Sequence, residues 1–385
     1  MTKNNTPILL SLVVPTKNRA KYAQNMLEGL QAVNSGEIEI IIQDNSDQDK
    51  LGEYVAALDD KRIRYYHCAE PLSLHQNMDL GVDKARGHYV CVLGDDDGIF
   101  VDAALASLRE AKRLGADALL TEICSYSWPG TKHWLWGDIG GMVSSKRVYP
   151  RYLKQLLNPD DALDDLFKRG AVGGLGLLPR VYQGYVSRQS LCALKKCCGT
   201  YFPGGSPDMA NAVALVAFID KMLLDPRLTL ISGHSPESGG GQGSAGRHHA
   251  ELDQASHLPS DTIKNWDSKI PQFWSGTTIY AQSAIEAARA VNLVSRYEFN
   301  YAMVCIACLI YEPKIYRKHI YAALDKLNLE PLQIFHLFSK NYVAMTMRRI
   351  ITFLHNISFY YLKKGKQDNF ENIKDIMAQG FRSYP

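Results

Sequence analysis

Three aspartates stand side by side in "CVLGDDDGIF", residues 91–100, directly after an apolar run. Adjacent carboxylates repel one another and resist leaving water unless a positive charge meets them. Asp95, Asp96 and Asp97 are therefore either a solvated turn or a holder of a cation. Magnesium and manganese take oxygen ligands, often one or two carboxylates plus substrate phosphates. An Mn²⁺ or Mg²⁺ ion at this turn would bridge a diphosphate to the protein and neutralise charge developing on a leaving phosphate.

Such groups act together only if the chain gathers them. Strand-like runs at 8–16, 38–45, 63–68, 88–94 and 116–126 alternate with helical periodicities at 21–33, 51–59, 73–85 and 101–115. This alternation predicts an α/β fold, a mostly parallel, Rossmann-like sheet with helices on both faces. Continuous apolar strands fit burial on both sides. Such sheets bind ligands beyond the carboxyl ends of their strands. The first strand ends in "PTKNR", the second in "QDNSD" and the fourth in "GDDDG", so three polar clusters are expected to converge on one edge. The middle, 127–250, is less regular. It reads as an aromatic loop or hairpin at 128–141, and a glycine-rich turn with a short strand or helix and then helix at 171–194. A helix from Pro207, a last strand at 227–233 and a mobile loop at 233–249 follow. From about 260 glycine becomes rare and helical periodicity takes over.

The chain has 385 residues, enough for one large domain or two. A net charge of +3 gives no bulk attraction to polyanions, and no nucleic-acid partner is expected. Eight cysteines, several inside apolar runs, read as reduced thiols. The pair Cys305 and Cys308 lies in "AMVCIACLI" without a second pair, and reads as core rather than zinc ligand. The apolar runs at 210–219 and 301–310 are too short to span a membrane, and "MTKNNTP" is not a secretory signal. A cytoplasmic setting is expected. "GQGSAG" at 241–246, with Asp261 beyond it, is a literal dinucleotide-binding pattern in the wrong context, and reads as a flexible lid. "DNSDQDKLGEYV" fails as a calcium loop, because Leu51 takes a ligand position and Leu58 stands where the closing glutamate belongs.

The stretches "SLVVPTKNR" (11–19), "IEIIIQDNSDQD" (38–49) and "NMDLGVDKARGHYVCVLGDDDGI" (77–99), in this order and spacing, resemble family 2 glycosyltransferases of the GT-A fold. The resemblance covers the first 125 residues, extends weakly to 202–215 and does not reach the helical tail. It implies a GT-A domain over 1–255, with 1–126 the nucleotide-binding half and 127–255 the acceptor and catalytic half, followed by a helical region at 256–385. It also implies that Pro15, Thr16 and Arg19 line a nucleotide pocket. Asp44 would accept from the base or ribose with Asn45 beside it, and Arg86, in "DKARG", would supply counter-charge. Asp95 matches the ribose side, Asp96 the principal metal ligand, and Asp97 a second ligand. Gly94 stands where many relatives carry the first aspartate, and the literal D-x-D is Asp95–Asp97, so the choice among the three stays open.

The activity implied is metal-dependent, inverting transfer of a sugar from a nucleotide-diphosphate donor, a UDP-sugar favoured. The acceptor would be a hydroxyl on a glycan or lipid-linked glycan, in bacterial surface polysaccharide synthesis. Such a transfer passes an oxocarbenium-like transition state and needs a general base. Asp208, in "SPDMA", follows a glycine-rich turn and is the candidate; aspartate is equally favoured in a first helical turn for electrostatic reasons. His234 could complete the metal site, touch the diphosphate or simply sit in its loop. Trp134 and Trp136 could stack on a sugar or acceptor, although packing is the commoner fate of tryptophan. The segment 339–366 mixes aromatic, apolar and basic residues, which suits a packed bundle or peripheral contact with an anionic membrane; an oligomer is also compatible. Two rivals remain. A sugar-phosphate nucleotidyltransferase would carry a glycine-rich N-terminal loop, and "PTKNRAKY" has no glycine. A non-catalytic scaffold would not need Asp44, the triplet and Asp208 together.

Overall fold

A computed structural model describes residues 7–144, 153–239, 241, 249–254, 262–363 and 370–379. The alternation in the first third is realised. Strands β1 (Leu10–Thr16), β2 (Ile38–Asp44), β3 (Ile63–His67) and β4 (Tyr89–Val92) alternate with helices Ala20–Gln31, Lys50–Leu58 and Leu74–Asp83. Ser73 starts the third of these with a capping box closed by Gln76. After β5 (Gly98–Ile99), the helix Val101–Leu114 ends at Gly115, whose φ of 66° is the left-handed conformation that glycine adopts without strain. Then come β6 (Ala118–Ser127), a small hairpin of β7 (Lys132–His133) and β8 (Gly137–Asp138), β9 (Val143–Ser144) and β10 (Gln155–Leu157). β11 (Tyr185–Ser187) leads into the helix Arg188–Cys198, and β12 (Met222–His234) follows the helix Pro207–Leu215.

The main sheet runs β10-β12-β6-β11-β4-β1-β2-β3, with β5 added on β12 and β9 on β6. β1 is parallel to both β2 and β4, and β6 is parallel to β12. The three-residue β11 is wedged antiparallel between β4 and β6. β12 begins earlier than the expected 227–233 and passes through Pro226, with register shifts between Asp225 and Leu228 and again before Leu230. Proline cannot donate to a ladder, and a bulge is where it is tolerated.

Successive residues of β1 face opposite sides of the sheet. Leu10, Leu12 and Val14 join a cluster with Leu27, Leu30 and Leu105. Val13 faces the other way, into a cluster with Met78, Val90 and Val213 that continues without a break into Ala284, Val304 and Ile320. Side chains from both sides of position 255 thus share one core. The helices Gly276–Ala290, Tyr301–Tyr311, Arg317–Asp325 and Pro331–Lys363 make up the expected helical region. Its last helix, Ile373–Gln379, returns to the sheet and buries Ile373 and Ile376 beside Trp128 and Ile231. No helix among the described residues is long and apolar enough to cross a membrane.

Candidate functional site

β1 lies between β2 and β4, so strand order reverses there and a crevice opens beyond the carboxyl ends of β1 and β4. Thr16, the last residue of β1, donates its hydroxyl to Asp95 Oδ2 at 2.7 Å across that crevice. Arg19 precedes the helix Ala20–Gln31 and reaches the same place. Its Nη2 lies 3.0 Å from Asp95 Oδ1, 2.9 Å from Asp96 Oδ2 and 2.7 Å from Ser235 Oγ. The guanidinium also sits over the Tyr22 ring, 5.0 Å from its centroid.

The triplet is not a solvated turn: Asp95, Asp96 and Asp97 are 3%, 4% and 1% exposed. Burial pushes the Asp95 carboxyl up to about 7, against the opposing pull of Arg19. Each member has a different set of partners. Asp97 accepts from Gly94 N (2.8 Å), Gly233 N (2.8 Å) and Gln183 Nε2 (3.0 Å). Both its oxygens accept hydrogen bonds from the fold, so the expected second metal ligand also acts as a brace that ties the end of β4 to β12. Asp96 Oδ2 accepts from Ser235 N (3.0 Å) and Ser235 Oγ (2.6 Å) as well as Arg19. Its backbone carbonyl takes the indole N–H of Trp128 at 2.9 Å. Among the described residues Asp96 Oδ1 accepts no hydrogen bond.

His234 ends β12. Its Nδ1 is buried without a partner, and burial lowers the ring's pKa while Asp96 opposes that shift. Among the described residues no group of three or more His, Cys, Asp or Glu is placed to hold a metal by itself. The atoms left over, Asp96 Oδ1 and the orphaned His234 Nδ1, fit a cation that takes most of its ligands from diphosphate and water.

The remaining expected residues divide. Pro15 is buried in β1 opposite Gln43. Asp44 ends β2, fully buried; it accepts the Tyr65 hydroxyl at 2.8 Å and Ser46 N at 2.8 Å, with acceptor capacity left on the carboxylate. Asn45 shapes the wall of the crevice, donating to Cys68 O (2.8 Å) and Glu70 O (2.7 Å) and accepting from Leu72 N (3.1 Å). Arg86 does not join them. Its backbone N–H bonds Glu39 Oε1 at 2.7 Å, beside Ser11, at the amino ends of β2 and β1. That is the opposite edge of the sheet, where helix-to-strand loops must lie.

Asp208 occupies the first turn of Pro207–Leu215, half-buried. Its Oδ1 takes the Ser206 hydroxyl and Met209 N (2.9 Å), and its Oδ2 takes the Tyr280 hydroxyl at 2.7 Å. Burial raises the Tyr182 hydroxyl well above its usual range, and Asp97, Asp96, Asp208 and Asp95 all add to that shift. The Tyr182 hydroxyl lies 3.4 Å from Asp97 Oδ2. Trp134 is exposed on the loop between β7 and β8, and Trp134 and Trp136 both stack on His133. Ser235, Gln183, Tyr182 and Tyr280 were not singled out in the sequence. Ser235 had a signal, since it follows a strand's carboxyl end as the other clusters do; Tyr280 had none, because its helix reaches Asp208 only through tertiary packing.

The mixed sheet, its helical layers and the acidic turn at the switch point define a GT-A fold. Residues 11–161 match glycosyl transferase family 2. The glycosyltransferase GlyG of Streptococcus pneumoniae is 27% identical over 120 residues, 31% of this chain and 40% of GlyG. A GalNAc(5)-diNAcBac-PP-undecaprenol beta-1,3-glucosyltransferase of Campylobacter jejuni is 31% identical over 109 residues, 28% of this chain and 35% of that protein. The chain thus spans less than half the length of these relatives. The S. aureus TarS 1–349 structure in complex with UDP-GlcNAc is 14% identical with a TM-score of 0.49, covering 82% of this chain and 80% of that one.

Proposed function

We propose that the chain is a glycosyltransferase that moves a sugar from a nucleotide-diphosphate donor, a UDP-sugar favoured, to a hydroxyl of a glycan acceptor. The observation that carries the reading is the convergence of Thr16, Arg19, Asp44, Asp95 and Asp96 on the crevice where strand order reverses. Asp44 and Asp95 would meet base and ribose, and Arg19 would supply counter-charge to the diphosphate. An Mn²⁺ or Mg²⁺ ion held by Asp96, with His234 beside it, would neutralise charge on the departing diphosphate. Asp208 would accept the proton of the attacking hydroxyl, its carboxylate held by Tyr280 and Ser206. The acceptor oxygen then bonds the anomeric carbon from the face opposite the leaving diphosphate, which inverts that centre. The Campylobacter jejuni relative is named for an undecaprenol-linked substrate, and we take a lipid-linked glycan of surface polysaccharide synthesis as the acceptor class.

The test is calorimetric titration of nucleoside diphosphates and their sugars, with and without Mn²⁺, on the wild type and Asp96→Ala. The reading expects one nucleotide to bind in a metal-dependent way, with affinity at least about tenfold weaker in the variant, a loss of about 1.4 kcal/mol. Binding indifferent to both metal and substitution would overturn it.

A further inference from the structure

The helix Pro331–Lys363 leaves a long apolar face uncovered. Leu332, Phe335, Val343, Met347, Ile351 and Leu354 are each more than half exposed. At about 100° per residue they fall within roughly 160° of the helix circumference and run about 33 Å along it. Met345, on the other side, is buried, and its carbonyl accepts the Tyr311 hydroxyl at 3.3 Å. The helix is therefore fixed to the body by one face and offers the opposite, apolar face to the outside.

Charge identifies what meets that face. From 331 to 363 there is no Asp or Glu, while Lys340, Arg348, Arg349 and Lys363 are basic, and Lys364 and Lys366 follow. At the same 100° per residue, position 340 falls within the apolar arc and positions 348 and 349 flank it on either side, so pairing with a second copy would set cations against their own kind. An anionic lipid surface neutralises them and takes the apolar stripe into its headgroup boundary. The helix meets no criterion for crossing a membrane, so it would lie along one.

We propose that Pro331–Lys363 docks the protein on an anionic bilayer, with Leu332, Phe335, Val343, Met347, Ile351 and Leu354 as the inserted stripe. The docking helix packs on Tyr301–Tyr311, which packs on Gly276–Ala290, the helix whose Tyr280 holds Asp208. The surface that would carry a lipid-linked acceptor is thus two helices from the candidate base; the inference rests on the proposed acceptor class for its purpose, not for its observations.

The experiment is sedimentation of the full chain with vesicles of phosphatidylglycerol and phosphatidylcholine in equal parts, and with phosphatidylcholine alone, at low and high salt. The triple variant Phe335→Ser, Val343→Ser, Ile351→Ser changes only exposed positions, and an unchanged Tm confirms its fold. The wild type is expected to bind the anionic vesicles, at least about tenfold more weakly in high salt or on neutral lipid, and the variant to lose at least about tenfold. A wild type that ignores anionic vesicles, binds neutral ones equally well, or matches the variant overturns the proposal. So does a lipid-free dimer that the variant dissociates, which would assign the stripe to a second copy. Donor binding, measured on the same samples, fails only if the catalytic reading fails, so the two are separable.

Discussion

Replacing Asp208 with asparagine separates its two possible roles. Asparagine has almost the same shape. Its amide oxygen can keep the Oδ1 position, accepting from Met209 N (2.9 Å in the wild type) and the Ser206 hydroxyl. Its amide nitrogen then faces the Tyr280 hydroxyl, which reverses its role and accepts. All three bonds to the carboxylate survive in form but lose their charge assistance, so stability should fall by about 1–3 kcal/mol. The amide cannot take a proton, and a general base contributes about 10²–10⁴-fold to rate. The assay is initial transfer rate at saturating donor, with donor affinity by calorimetry and Tm on the same preparation. The expected result is kcat down by about two to four orders of magnitude with donor affinity unchanged. A rate within about threefold of wild type, on a folded variant, would refute the argument and leave Asp208 as a first-turn aspartate placed for the helix dipole.

The brace and the candidate ligand in the triplet should respond differently. Asp97→Ala leaves Gly94 N and Gly233 N without their acceptor and should cost about 2–5 kcal/mol of stability in urea unfolding; Asp96→Ala should chiefly abolish metal-dependent nucleotide binding. Gly233→Ala would place a Cβ 1.7 Å from the Asp96 carbonyl oxygen, so expression of folded protein should fail or nucleotide binding be lost, and wild-type behaviour would refute the packing described. His75, held 2.7 Å from Gly204 O, has its pKa lowered by burial. The folded chain therefore binds fewer protons there than the unfolded one, so its contribution is full above about pH 6.5, declines below it and is lost as pH falls through the lowered folded value. His75→Gln should match the wild type near neutrality and lose less stability on acidification, read by denaturant midpoints across pH.

Much of the carboxyl edge was legible because one rule covers it. A polar cluster after a buried strand must lie at the same rim as its neighbours when the strands are parallel, and "PTKNR", "QDNSD" and "GDDDG" obeyed it. The same rule places Arg86 at the other rim, since "DKARG" leads into β4 rather than out of it; the family pattern, not the topology, had put it in the pocket. β11 was hard to read because three residues carry no periodicity and its pairing partners are far away in sequence. The start of β12 was obscured by Pro226, which reads as a strand breaker until a bulge accommodates it. The return of Ile373–Gln379 to the sheet is a long-range event, invisible to local pattern. The lid expected at 241–246 lies, beyond Gly241, outside the described residues, as does Asp261.

The division of labour within the triplet answers how three adjacent carboxylates remain buried. Asp97 takes hydrogen bonds from Gly94, Gly233 and Gln183, which oppose but do not cancel the rise that burial and Asp96 impose on its carboxyl. Asp95 and Asp96 share one guanidinium between them. Arg19 is one positive charge shared by two carboxyl groups, and Asp44 adds to the negative side, so little positive field is left over beyond the ends of β1 and β4. A diphosphate alone would find little attraction there. A divalent cation would supply the missing positive charge, which is the physical reason behind the metal dependence proposed above. Arg19→Met should then weaken nucleotide binding most when Mn²⁺ is absent, because the guanidinium and the cation relieve the same repulsion. Equal weakening with and without Mn²⁺ would show that Arg19 acts on the nucleotide independently of the acidic turn.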